Sequence, residues 1–203
     1  QKQKGFFSVE VPVTLGFIPL EHAIALGVFL KPFGDHVVRM TRDQNFLLRD
    51  IPEAYLGNLF NFLTGTLPGT DRPAIYGRLL SCAGASTCQL GICLSRQAAK
   101  ALMKVLEKSG LDLDKTGPAK IYISGCPNTC GLHSVADLGF FGKALRIEGH
   151  LYPAYTVVAG AVVRDGESRL AEAVGEVPAK HLPALVQDIL AGHLSGASRA
   201  KSF

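Results

Sequence analysis

The stretch KIYISGCPNTCG, Lys120 to Gly131, decides how the chain is read. Lys120 to Ser124 is a short run with β-branched and aromatic residues, a strand signal, and it enters Gly125, Cys126, Pro127 and Asn128, where turn-forming residues dominate. Two cysteines with three residues between them, at the end of a strand, suit a metal clip, a disulfide, a redox thiol pair or a plain tight turn. Upstream, Cys82 and Cys88 form a second pair with five residues between them. The excursion from Cys88 to Cys126 holds a helix signal (about Ser95 to Ser109) and the strand, so two loops can bring four thiols to one centre.

Thiolates are soft ligands that select zinc or iron-sulfur clusters, and a cubane cluster takes four of them. Structural zinc sites usually space their pairs two to four residues apart, which the second pair meets and the first does not. Buried cysteine as a small apolar side chain is the bland alternative, and Cys93, outside both pairs, reads that way. Five cysteines are too few for a disulfide scaffold, and with no signal-peptide core visible the expected compartment is a reducing cytoplasm.

The composition excludes several classes. A hydrophobic fraction of 47% with 19% charged residues is that of a folded globular chain rather than a disordered or collagen-like one. A net charge of +4 suits an anionic cofactor or small anionic substrate but falls short of a nucleic-acid-binding stripe, so no nucleic acid is expected. The longest apolar runs, Ile18 to Leu30 and Tyr155 to Val163, are too short or carry Glu21 and His22, so no membrane span is expected. The start, Gln1-Lys2-Gln3-Lys4, has no methionine and reads as a processed chain or a piece of a longer one.

Outward from the cysteines, 203 residues accommodate one large or two small domains. Phe6 to Thr14 alternates as a strand, and Pro19 opens an apolar-periodic helix to Leu30. His36 to Met40 and Asn45 to Arg49 are short strands around the polar turn Thr41 to Gln44, and Pro52 opens a second helix to Leu63. The order β-α-β-β-α is a ferredoxin-like half motif. Gly65 to Pro73 is a Gly-, Thr- and Pro-rich linker, so the expected domains are 1–70 and 71–203. In the second, Ala136 to Ala144 and Tyr155 to Val163 read as strands and Pro178 to His193 as a closing amphipathic helix.

CAGASTC (82–88), SGCPNTCG (124–131) and ADLGFFGKA (136–144) together resemble the siroheme and iron-sulfur signature of the nitrite and sulfite reductase family. VVRMTRDQNFLLRDIP (37–52) is similar to that family's strand-turn-strand segment, and the likeness extends through the closing helix. The resemblance implies an α+β chain: a ferredoxin-like half domain followed by an α/β siroheme and iron-sulfur domain with a mixed sheet. It implies that Cys82, Cys88, Cys126 and Cys130 hold a 4Fe-4S cluster, with Cys130 bridging cluster and siroheme. Gly125, Asn128, Thr129 and Gly131 would adjust the cluster through hydrogen bonds. Cys130, Asn128, Arg39 and Gln44 would be the cofactor-binding residues, with Arg39, Arg42 and Gln44 reaching siroheme carboxylates or the partner half, Lys143 a further cation and no catalytic role for His133. The implied reaction is multi-electron reduction of nitrite to ammonia or sulfite to sulfide, in the cytoplasm. The implied partners are an N-terminal half of the same reductase or a homologous chain, which would supply the substrate-binding Arg and Lys residues, and an electron donor such as ferredoxin or a flavoprotein. A precorrin-3B synthase-like enzyme, a non-catalytic electron-transfer module and a zinc-stabilised domain are the alternatives.

Overall fold

A computed structural model describes residues 3–196; the Gln1-Lys2 start lies outside them. The chain divides into two compact units, Gln1–Gly77 and Arg78–Phe203. The division falls beyond the Gly-, Thr- and Pro-rich stretch.

The first unit runs β1 (Phe6–Val11), α1 (Leu20–Leu30), β2 (Val38–Met40), β3 (Phe46–Pro52) and α2 (Leu56–Thr66), the β-α-β-β-α order expected. Its three strands form an antiparallel sheet in the order β1-β3-β2. Val11, Leu48 and Ile51 from the sheet meet Leu26 and Leu30 of α1 and Leu59 and Leu63 of α2, with the latter pairs spaced four apart on one helix face. Phe29 and Phe62 stack with ring centroids 4.2 Å apart. The first strand ends at Val11 rather than Thr14, because Pro12 offers no amide to a ladder and Leu15 takes a left-handed φ of 51° in a short 3-10 turn. Pro52 closes β3, and α2 begins only at Leu56 after a 3-10 turn.

Asn45, 2% exposed, holds this unit's loops. Its Oδ1 accepts the Val13 amide at 2.9 Å, and its Nδ2 donates to Glu10 Oε1 at 3.0 Å and to the Gly77 carbonyl at 2.8 Å. The start, middle and end of the unit are thereby joined through one side chain.

The second unit comprises β4 (Leu79–Ser81), α3 (Ser95–Lys108), β5 (Ile121–Ser124), β6 (Leu138–Ile147), β7 (His150–Ala159), β8 (Val162–Arg164), β9 (Glu167–Arg169), β10 (Glu172–Pro178) and α4 (Leu182–Leu194). Five strands make a mixed sheet in the order β10-β7-β6-β5-β4, with β4, β5 and β6 parallel and β7 and β10 antiparallel to their neighbours. The middle of the sheet is covered: all four residues of β5 are buried. α3 buries Ala99, Leu102, Met103 and Leu106, an i, i+3, i+4, i+7 stripe, and packs on β4, β5 and α4. α4 buries Leu182, Val186 and Leu190.

β6 and β7 are longer than expected and join through Glu148-Gly149, both at positive φ (49° and 85°), a two-residue hairpin turn whose twist matches its strands. The expected strand from Tyr155 to Val163 is broken at Gly160, φ 82°, and its end becomes β8 in a separate hairpin with β9. The expected strand at Ala136 begins at Leu138.

Candidate metal centre

Both cysteine loops leave the same end of the sheet. Cys82 directly follows β4 and Cys126 lies two residues past β5, adjacent parallel strands whose carboxyl ends are where α/β sheets characteristically place ligands.

Backbone bonds hold the two loops together. The Cys82 amide donates to the Ile123 carbonyl at 3.1 Å, extending the parallel ladder by one rung. Gly125 faces the first loop with both its polar groups: its N–H donates to Cys82 Sγ at 3.1 Å, and its carbonyl accepts the Ile92 and Cys93 amides, each at 2.9 Å. A Cβ on Gly125 would lie 2.8 Å from both the Cys93 carbonyl oxygen and Gly84 Cα, so only glycine allows this approach. Within the first loop, Gly84 at φ 65° accepts the Cys88 amide at 3.0 Å.

The loop from Cys126 to Cys130 turns outward. Cys126 is buried, whereas Pro127, Asn128 and Cys130 are exposed. Thr129 has a φ of 59°, a left-handed conformation costly for a β-branched residue and characteristic of functional sites, where surrounding structure enforces it. The enforcing bonds are local: Thr129 Oγ1 donates to the Pro127 carbonyl at 3.2 Å, and the Leu132 amide donates to the Thr129 carbonyl at 2.8 Å. Ser124, fully buried, closes the loop by accepting the Gly131 amide at 3.0 Å, and its hydroxyl lies 2.8 Å from His133 Nδ1. Burial pushes the His133 pKa down, which favours a neutral imidazole packed 4.8 Å from the Phe141 ring centroid.

All five cysteines are free thiols. Cys88 and Cys130 are exposed and Cys82 half-buried; the Cys130 thiol donates to the Asn128 carbonyl at 3.8 Å. Cys93 is buried and donates to the Ala154 carbonyl at 3.2 Å, and burial pushes its pKa up, so it stays a neutral thiol. Among the described residues no three His, Cys, Asp or Glu side chains gather around one ion position. Four sulfur donors on two interlocked loops are nevertheless a donor set that fits a cubane cluster, in which each iron takes its own thiolate and the sulfurs need not converge on one point.

The remaining expected residues belong to both units, Arg39, Arg42 and Gln44 to the first and Asn128 and Lys143 to the second. Arg39 Nη1 donates to the His36 and Val38 carbonyls, each at 3.0 Å, and Arg42 pairs with Asp43. Gln44 sits at φ 63° in the turn before Asn45, its side chain against Gly16. Lys143 forms an ion pair with Glu176. Sequence reasoning missed Ser95 and Ser124, whose hydroxyls contact the cysteine loops. Each is one serine in an unremarkable context, and only the folded approach of the two loops gives it a role.

Residues 1–64 match the family model described as the nitrite/sulfite reductase ferredoxin-like half domain. The chain is 30% identical to a ferredoxin–nitrite reductase of Synechococcus elongatus over 98% of its own length and 38% of that protein. It is 33% identical to a ferredoxin sulfite reductase of Mycobacterium tuberculosis over 73% of its length and 27% of that protein. Residues 1–64 carry the ferredoxin-like half domain of the nitrite and sulfite reductase family, and the chain is similar to members of that family over nearly its whole length. Its fold is that of the Mycobacterium tuberculosis NirA protein, with a TM-score of 0.82 at 22% identity over 98% of this chain and 37% of that one. The chain spans between 27% and 38% of the length of the curated relatives it matches.

Proposed function

We propose that the chain is the cluster-bearing C-terminal part of a reductase that uses siroheme and a 4Fe-4S cluster to reduce nitrite to ammonia or sulfite to sulfide. The observation that carries this reading is Gly125, whose amide reaches Cys82 Sγ while its carbonyl binds Ile92 and Cys93, joining both thiol pairs at the carboxyl ends of β4 and β5. When bound, the cluster supplies electron storage and the siroheme an iron at which the oxyanion is held. Cys82, Cys88, Cys126 and Cys130 would hold the cluster, and Cys130 would also reach the siroheme iron. The buried Ser124 and the strained Thr129 fix how the Cys130 thiol is presented. Arg39, Gln44 and Asn128 would serve the siroheme periphery, and a further half of the protein would supply the substrate-binding cations.

The relatives named ferredoxin–nitrite reductase align over essentially the whole chain, whereas the sulfite reductases align over 73% of it. Nitrite is therefore the first substrate to test and ferredoxin the first donor. Among the described residues no helix is long and apolar enough to cross a membrane. A reducing compartment such as the cytoplasm suits five free thiols.

The intact protein, purified without oxygen, tests this reading through its optical spectrum, iron and labile sulfide content, and turnover of both anions with reduced ferredoxin. Tetrapyrrole bands in the red with about four cluster irons per chain support it. Zinc without labile sulfide would sink it.

A further inference from the structure

We infer that the Ser95 hydroxyl is a hydrogen-bond donor to the Cys82 thiolate and thereby raises the reduction potential of the iron-sulfur cluster. This inference rests on the cluster reading above. Ser95 is fully buried at the first turn of α3. Its Oγ lies beside two acceptors of the same cysteine: it donates to the Cys82 carbonyl at 2.9 Å and stands 3.3 Å from Cys82 Sγ. Gly84 leaves the room for it, since a Cβ there would collide with Ser95 Oγ.

In the free thiol the Cys82 S–H can point at Ser95 Oγ, and the serine proton stays on the carbonyl. Ligation to iron removes the thiol proton and turns Sγ into an anionic acceptor. Bonds to an ionised acceptor are roughly twice as strong as neutral ones, so rotation of the hydroxyl hydrogen alone, with no heavy atom moving, transfers the bond from carbonyl to sulfur. Cys82 Sγ would then be held by two donors, the Gly125 amide and the Ser95 hydroxyl. The Cys130 thiol faces a carbonyl, which cannot donate. An electron added to the cluster increases the negative charge on its thiolates, so donors to sulfur favour the reduced state and move the potential upward.

Low-temperature EPR during a redox titration of the intact protein, with iron and labile sulfide measured on each sample, tests this in the wild type and in Ser95→Ala, Ser95→Thr and Ser95→Val. Thr and Val share a shape and differ by the hydroxyl, which separates hydrogen bonding from packing. We expect Ser95→Ala and Ser95→Val to shift the one-electron equilibrium toward the oxidised cluster by roughly tenfold, about 59 mV more negative. Ser95→Thr should stay near the wild type. The inference is overturned by a wild-type potential in an iron-replete Ser95→Ala protein, or by equal shifts in the Thr and Val variants. Loss of the cluster from all three folded variants also overturns it, because Ser95 would then be required for assembly rather than tuning. A wild-type protein without iron and labile sulfide fails the cluster reading itself and this inference with it, a result distinct from the others.

Discussion

Asn45 in the first unit and Ser124 in the second are both buried polar residues that close a loop beside a strand, but they finish with opposite results. Asn45 turns every polar group it meets back onto protein: the Val13 amide, the Glu10 carboxylate and the Gly77 carbonyl. Ser124 secures Gly131 and His133 behind the loop while Pro127, Asn128 and Cys130 stay exposed. A loop whose groups are all satisfied internally is scaffold. A loop braced from behind, with the Cys130 thiol exposed and Thr129 held at a left-handed φ, leaves a soft donor accessible. Loops carrying function on a rigid support follow the same division of labour.

Substitutions can break this contrast, beginning with the most damaging. Gly125→Ala would drive a Cβ into backbone atoms of the opposing loop, and we expect a loss of about 3 kcal/mol in the second unit, read by urea denaturation, together with loss of metal. Asn45→Ala strands the buried Val13 amide and removes two further bonds. We expect about 2 kcal/mol lost from the first unit, with cysteine reactivity in the second unchanged. Ser124→Ala leaves the Gly131 amide without its acceptor and should cost about 1 kcal/mol while loosening Cys130, seen as faster alkylation of that thiol.

Smaller effects sharpen the contrast within the second unit. In metal-free protein Cys88 and Cys130 should alkylate first and Cys93 last, since Cys93 is buried and its pKa is pushed up; peptide mapping after a timed quench reads the order. The smallest effect is on pH dependence. Burial lowers the His133 pKa below its usual 6.5, so the folded state binds its proton less readily than the unfolded chain. That contribution is complete above 6.5 and is lost as pH falls through the lowered value, so the urea midpoint of metal-free protein should decline from pH 7.5 to 5.5. His133→Gln should flatten the decline.

The first unit was legible because Pro19, Pro32, Gly34 and Pro52 bound its helices and the polar Thr41 to Gln44 separates β2 from β3. The four candidate ligands were legible from cysteine spacing, sharpened by family resemblance. β4 escaped because three buried residues, Leu79–Ser81, offer no period to read. β10 escaped because six of its residues lie on or near the surface of an edge strand and only Val177 is buried. The hairpin at Glu148-Gly149 was written in the sequence as a glycine turn between alternating runs and went unread. Ser95 and the bracing Ser124 were beyond sequence reasoning, since each acts across a contact that exists only after the two loops meet.

Iron and labile sulfide content in a set of single Cys→Ser variants of the intact protein tests the four-thiolate centre most directly. Cys82, Cys88, Cys126 and Cys130 should each be required for about four irons and their sulfide. Cys93→Ser should keep the wild-type content. A cluster lost with Cys93 and kept without Cys130 would contradict the account.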